Sequence, residues 1–143
     1  MTKIDSRMVF FLSCCFLVAG SVYEPRILGD ENSFLEQFVN HEFLNFMGVI
    51  VTITLASTAN IHMELRRKEA KAKKDFLSGT RNAVKKSAYS LVWALFLSLI
   101  LVVGKPLLPD THTWMAIANS IALSIILWGI LVIWDITKLS FKL

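Results

Sequence analysis

The stretch FLNFMGVIVTITLASTANIHM, Phe43 to Met63, followed at once by ELRRKEAKAKK, Glu64 to Lys74, decides how this chain is read. The first part holds no Asp, Glu, Lys or Arg. A helix needs about 20 mostly apolar residues to cross a ~30 Å hydrocarbon layer, and this run has that length. The second part is too highly charged to enter lipid, so it marks the membrane edge.

Three further uncharged runs lie on either side: Met8–Tyr23, Ser87–Gly104 and Thr111–Trp134. Composition agrees, since 55% of the 143 residues are hydrophobic and only 18% are charged, outside the usual range of soluble domains. The expected fold class is an all-α integral membrane protein, a single membrane domain over 1–143 with four transmembrane helices at about 8–23, 43–63, 87–105 and 112–134. The third run is slightly short, and Lys86 and Lys105 are expected to snorkel from its two ends. The first run is shorter still. Lys3 and Arg7 before it and Val18-Ala19-Gly20 within it also fit a signal peptide, while Tyr23 supplies the interfacial aromatic of a retained span.

Basic residues set the orientation. Residues 64–86 carry Arg66, Arg67, Lys68, Lys71, Lys73, Lys74, Arg81, Lys85 and Lys86, whereas 24–42 has Arg26 alone among five acids. The basic loop is therefore expected inside and the acidic one outside. Lys3, Arg7, Lys138 and Lys142 place both termini on the inner side as well.

The loops carry their own signals. Ser33-Phe34-Leu35-Glu36 has the capping-box pattern, which predicts an amphipathic outer segment over 33–42 with Phe34, Leu35, Phe38 and Val39 on one face. Residues 64–77 keep helical periodicity, with Glu64 and Lys68 at four-residue spacing, and Ser78-Gly79-Thr80 reads as a stop and turn. A helical, basic hairpin is expected over 64–86. Its simplest role is to fix topology and touch anionic headgroups; the alternative is to receive a cytosolic protein partner, a nucleotide or nucleic acid. No glycine-rich cradle or interleaved aromatics point to specific nucleic-acid binding.

Within the spans, small and polar residues mark where helices meet, because helices in lipid associate by close backbone approach and interhelical hydrogen bonds. Gly48, Ala56, Ser90, Ala94, Ser98 and Ala116 are the packing candidates. Thr52, Thr54, Ser57, Thr58, Asn60, Asn119, Ser120 and Ser124 are candidates for interhelical contact or for lining a water path. In the third run Ser87, Ser90, Ala94 and Ser98 form one stripe opposite Tyr89, Phe96, Ile100 and Val103. The second and fourth runs instead carry small or polar residues on more than one face, which suggests contacts between copies, a homo-oligomer, or with a different membrane subunit. The alternative is that each hydroxyl bonds its own i−4 carbonyl and implies no partner.

Catalysis finds little footing. His41, His62 and His112 are scattered, His41-Glu42 lacks the second histidine of a zinc-protease helix, and Cys14-Cys15 gives no disulfide framework. No enzyme activity, metal or cofactor is expected. The absence of a midplane ionisable residue disfavours a proton-coupled transporter.

In length, span number, and the passage from Val51-Thr52-Ile53-Thr54-Leu55-Ala56 into Leu65-Arg66-Arg67-Lys68 and then a Ser-rich third run, the chain resembles the small four-span membrane proteins of bacterial anti-phage systems, the RexB-like proteins. The resemblance implies an inner-membrane effector that depolarises or permeabilises a bacterial cell on a cytosolic trigger. It carries no catalytic or ligand-binding residue across. A non-conducting scaffold that anchors a cytosolic partner through residues 64–86 is the competing expectation.

Overall fold

The uncharged runs become helices, and most extend beyond the apolar segments that nucleate them. A computed structural model describes residues 6–72 and 78–141. The helices are α1 (Ser6–Tyr23), α2 (Pro25–Leu28), α3 (Ser33–Phe38), α4 (His41–Ala72), α5 (Ser78–Gly104) and α6 (His112–Ser140), with a 3-10 turn at Lys105–Leu107. Among the described residues there is no strand.

Three helices, α4, α5 and α6, are long and apolar enough to cross a membrane. A fourth span requires α1 to be joined with Pro25–Phe38, a pair bent by 117°. The expected count of four thus becomes three, or four if the bent pair counts as one. The break is local chemistry: Pro25 opens α2 at a position where its missing N–H costs nothing, and the chain turns over the bundle end. Lys3 and Lys142, used above to orient the termini, lie outside the described residues.

In the middle of the bundle, α6 touches α1, α2, α4 and α5. It is the most buried span, with 44% of its apolar window covered, against 22% for α4 and 17% for α5. This accounts for its small residues on several faces, because Ala116, Ala118, Ala122 and Gly129 let neighbours approach from different sides. The core nearer the acidic end joins Leu35, Val39, Phe43, Met47, Ala94, Ala122 and Ile125. A second cluster, Val51, Leu91, Val132 and Ile136, continues toward the basic end. On α5 the small stripe Ala94–Ser98 is buried, and Tyr89, Phe96, Ile100 and Val103 are exposed, the division expected from the pattern.

Three local expectations are corrected. The cap of α3 is Asn32, whose Oδ1 accepts the Phe34 N–H at 3.1 Å; Ser33 is the first helical residue rather than the cap. An Asn side chain caps as well as Ser and stands one residue earlier. Within 33–42, α3 ends at Phe38 and Asn40 restarts the chain by accepting the Glu42 N–H at 3.0 Å. Leu35 and Val39 enter the core while Phe34 faces out, stacked 5.4 Å from Phe38. Ser78-Gly79-Thr80 is no turn but the first turn of α5, where poor helix formers are tolerated because the first amides have no helical partners. Lys73 and Lys74, also part of the expected hairpin, lie outside the described residues.

Candidate functional site

Where α2, the 3-10 turn and α6 meet at the acidic end, a knot of polar side chains closes the bundle. Lys105 Nζ donates to Asp30 Oδ1 at 2.8 Å and to Asn119 Oδ1 at 3.0 Å. Asn119 Nδ2 donates to Leu28 O at 2.8 Å and to Asp30 Oδ1 at 3.0 Å. Lys105 is only 9% exposed and Asn119 is fully buried, so the expectation that Lys105 snorkels into the headgroup layer is wrong. Pro106 directs the chain away and leaves the ammonium over the helix ends, where a carboxylate and an amide oxygen replace its water. At the next position of α6, Ser120 Oγ shares a hydrogen bond with Ser21 Oγ of α1, and Ser21 Oγ also lies 3.2 Å from Ala116 O.

These contacts place Asn119, Ser120 and Ala116 inside the protomer. Ser124 back-bonds to Ser120 O at 2.8 Å. Ser90 Oγ accepts the Trp128 indole N–H at 2.6 Å, tying α5 to α6. Sequence reasoning missed Lys105, Asp30 and Ser21. The signal was a lysine at the C-terminal limit of one apolar run with an Asn inside the next.

The other polar candidates sit on α4, and its two faces differ. Phe43, Met47, Val51, Thr54, Thr58 and Leu65 are buried. Opposite them Asn45, Thr52, Ala56, Ala59 and Asn60 are exposed, with Gly48 partly so. Asn45, Gly48, Thr52, Ala56, Ala59 and Met63 recur at steps of three or four residues, the spacing of a helix-to-helix seam. Thr52 bonds Gly48 O at 2.8 Å, Thr54 bonds Ile50 O at 2.7 Å, and Ser57 bonds Ile53 O at 3.1 Å. Each therefore follows the local, partner-free pattern.

At the basic end α4 and α5 run side by side as a hairpin. Leu65 and Val84 are buried there, and Arg81 Nη1 bridges to the largely buried Glu69 carboxylate. Arg66, Arg67, Lys68, Lys85 and Lys86 are exposed on it; Arg81 is engaged, and Lys71 lies in the last turn of α4. Lys85 lies 5.8 Å from the Tyr89 ring centroid and Lys138 5.0 Å from that of Trp134, an arrangement suited to the headgroup boundary. No group of three or more His, Cys, Asp or Glu side chains that could hold a metal occurs among the described residues. Comparison with family models, curated proteins and solved structures gives no match.

Proposed function

We propose that the protein is a non-enzymatic membrane permeability effector that assembles from several copies, with the exposed seam of α4 as the contact and the basic hairpin as the input. The observation that carries this reading is the polar, small-residue face of α4, which no other described residue covers. Asn45 and Asn60 are costly against lipid, and a second α4 would supply both close backbone approach and amide partners. A conducting path then lies between copies, lined from Thr52, Ser57 and Asn60, because Asn119 and Ser120 are consumed within the protomer. The setting that fits is a bacterial inner membrane. The trigger is a cytosolic protein, as in the anti-phage effectors that the chain resembles.

The test is paired. Thr52→Cys or Ala56→Cys, in a chain whose Cys14 and Cys15 are changed to Ser, should give disulfide-linked dimers in native membranes. Purified protein in liposomes should pass ions once the seam is intact and the trigger is present. Absence of both cross-linking and flux would end the proposal.

A second reading, the non-conducting anchor, is favoured by the hairpin's internal packing at Leu65, Val84 and Glu69–Arg81, which gives a docking surface of fixed shape. Arg66→Glu with Arg67→Glu should then release a co-purifying protein from a correctly inserted bundle. Retention of that protein would count against the anchor.

A further inference from the structure

Thr58 is the one hydroxyl on α4 that breaks the pattern of its neighbours. Thr52, Thr54 and Ser57 each bond a carbonyl one turn back, but Thr58 Oγ1 is buried with no hydrogen-bond partner at all. The residue is 5% exposed, so water does not satisfy it freely. A buried, unpaired hydroxyl in a native helix calls for a ligand or an explanation.

Its surroundings supply one. Thr58 lines a groove of about 450 Å³ between α4 and α5 at the basic end, together with His62, Lys85, Leu55, Met63 and Ala88. His62 stands one helical turn beyond Thr58 on α4, about 6 Å nearer the membrane surface at 1.5 Å per residue. Lys85 reaches the same groove from α5. The upper part thus offers an ammonium and an imidazole, the middle a hydroxyl donor, and the wall apolar side chains. No carboxylate lines it.

We propose that this groove seats one anionic glycerophospholipid, with its phosphate against Lys85 and His62, an ester carbonyl accepting the Thr58 hydroxyl proton, and the start of an acyl chain on Leu55 and Ala88. The order of groups along α4 matches the order along the lipid, since ester carbonyls lie a few ångströms below the phosphate. Basic pockets between helices at a membrane face are suited to such headgroups. A zwitterionic lipid fits less well, because its ammonium would face Lys85 with no acid in the groove to receive it. The site is built from one chain and needs no second copy, and it meets the proposed α4 seam only at its rim, where Ala59 and Met63 belong to both.

The experiment uses the full chain, purified in detergent and stripped of lipid, with phosphatidylglycerol, phosphatidylcholine or inorganic phosphate added. Native mass spectrometry counts retained lipids, and thermal unfolding reports their effect. One phosphatidylglycerol should be retained with about tenfold preference over phosphatidylcholine, in line with a charge-assisted contact. Thr58→Val should leave lipid-free stability unchanged or raised, because it removes an unpaired hydroxyl, yet lower phosphatidylglycerol retention about fivefold. Lys85→Gln should abolish the preference, Lys85→Arg should restore it, and Lys138→Gln on α6 should leave it intact. Equal retention of both lipids, Thr58→Val without effect on retention, an equal loss from Lys138→Gln, or equal stabilisation by inorganic phosphate alone would each overturn the assignment.

Discussion

Replacing Lys105 by Met should loosen the acidic end of the bundle, and the size of the effect follows from the knot. The ammonium makes two hydrogen bonds, at 2.8 Å to Asp30 Oδ1 and 3.0 Å to Asn119 Oδ1. Met keeps the length and apolar stem of the side chain but leaves a carboxylate and an amide oxygen without that donor. Removing one partner of a fully buried ion pair costs about 3–5 kcal/mol. Here the Asp30 side chain is 32% exposed, against 11% for Lys105, so water recovers part of the loss and about 2–3 kcal/mol is the expected cost. The neighbouring Asn119 Nδ2 still donates to Asp30 Oδ1, which also limits it. Equilibrium unfolding in mixed micelles, followed by tryptophan fluorescence, gives the single value. Asp30→Asn and the double variant complete a thermodynamic cycle, with a coupling of about 1–2 kcal/mol expected for groups in direct contact. A cost below about 0.5 kcal/mol with no coupling would mean that Lys105 lies in the headgroup layer and the knot does not exist.

Other outcomes follow from single contacts. Gly29→Ala should destabilise the same end by about 1–3 kcal/mol, as overpacking does, because an added Cβ would stand 2.7 Å from Pro25 O and 3.5 Å from His112 O; unfolding as above, with Gly104→Ala as the control in open space, checks it. Ser90→Ala should cost about 1 kcal/mol and change the emission of Trp128, whose indole loses its acceptor. Arg81→Met should speed hydrogen exchange across the hairpin while leaving α6 unaffected, since it strips the Glu69 carboxylate, only 9% exposed, of its bridge. Thr52→Leu with Asn60→Leu should reduce ion flux or cross-linking between copies, whereas Asn119→Leu should lower stability first; flux retained by the former pair would remove α4 from the proposed path.

Much of the single-helix detail was open to inspection in the sequence. The periodicity that puts Ser90, Ala94 and Ser98 opposite Phe96 and Ile100 is a property of one helix, and it reads correctly because 3.6 residues per turn fixes which side chains share a face. The existence of the helical runs needed only length and apolarity. Which surface covers which stripe is different information. The fourth run carries small residues on several sides, a pattern equally suited to a contact between copies or to a central position within one. The fold chooses the centre for α6 and leaves α4 with a bare face.

Chain reversals were the hardest to read. Asn32 rather than Ser33 caps α3, and Ser78-Gly79-Thr80 begins a helix instead of ending one, because cap and turn residues overlap in type and only the path of the backbone separates them. The same limit hid the knot. Asp30, Lys105 and Asn119 are separated by 75, 14 and 89 positions in their hydrogen bonds, and no local pattern connects them. By itself the sequence determined that the chain is helical and apolar enough for a membrane, and which face of each helix is small or bulky, since these depend on residue type and helical pitch alone. Only the tertiary structure decided that Lys105 is buried and that α6 is enclosed while one face of α4 stays exposed and the Thr58 hydroxyl stays without a partner, because those outcomes depend on which distant surfaces the folded chain brings into contact.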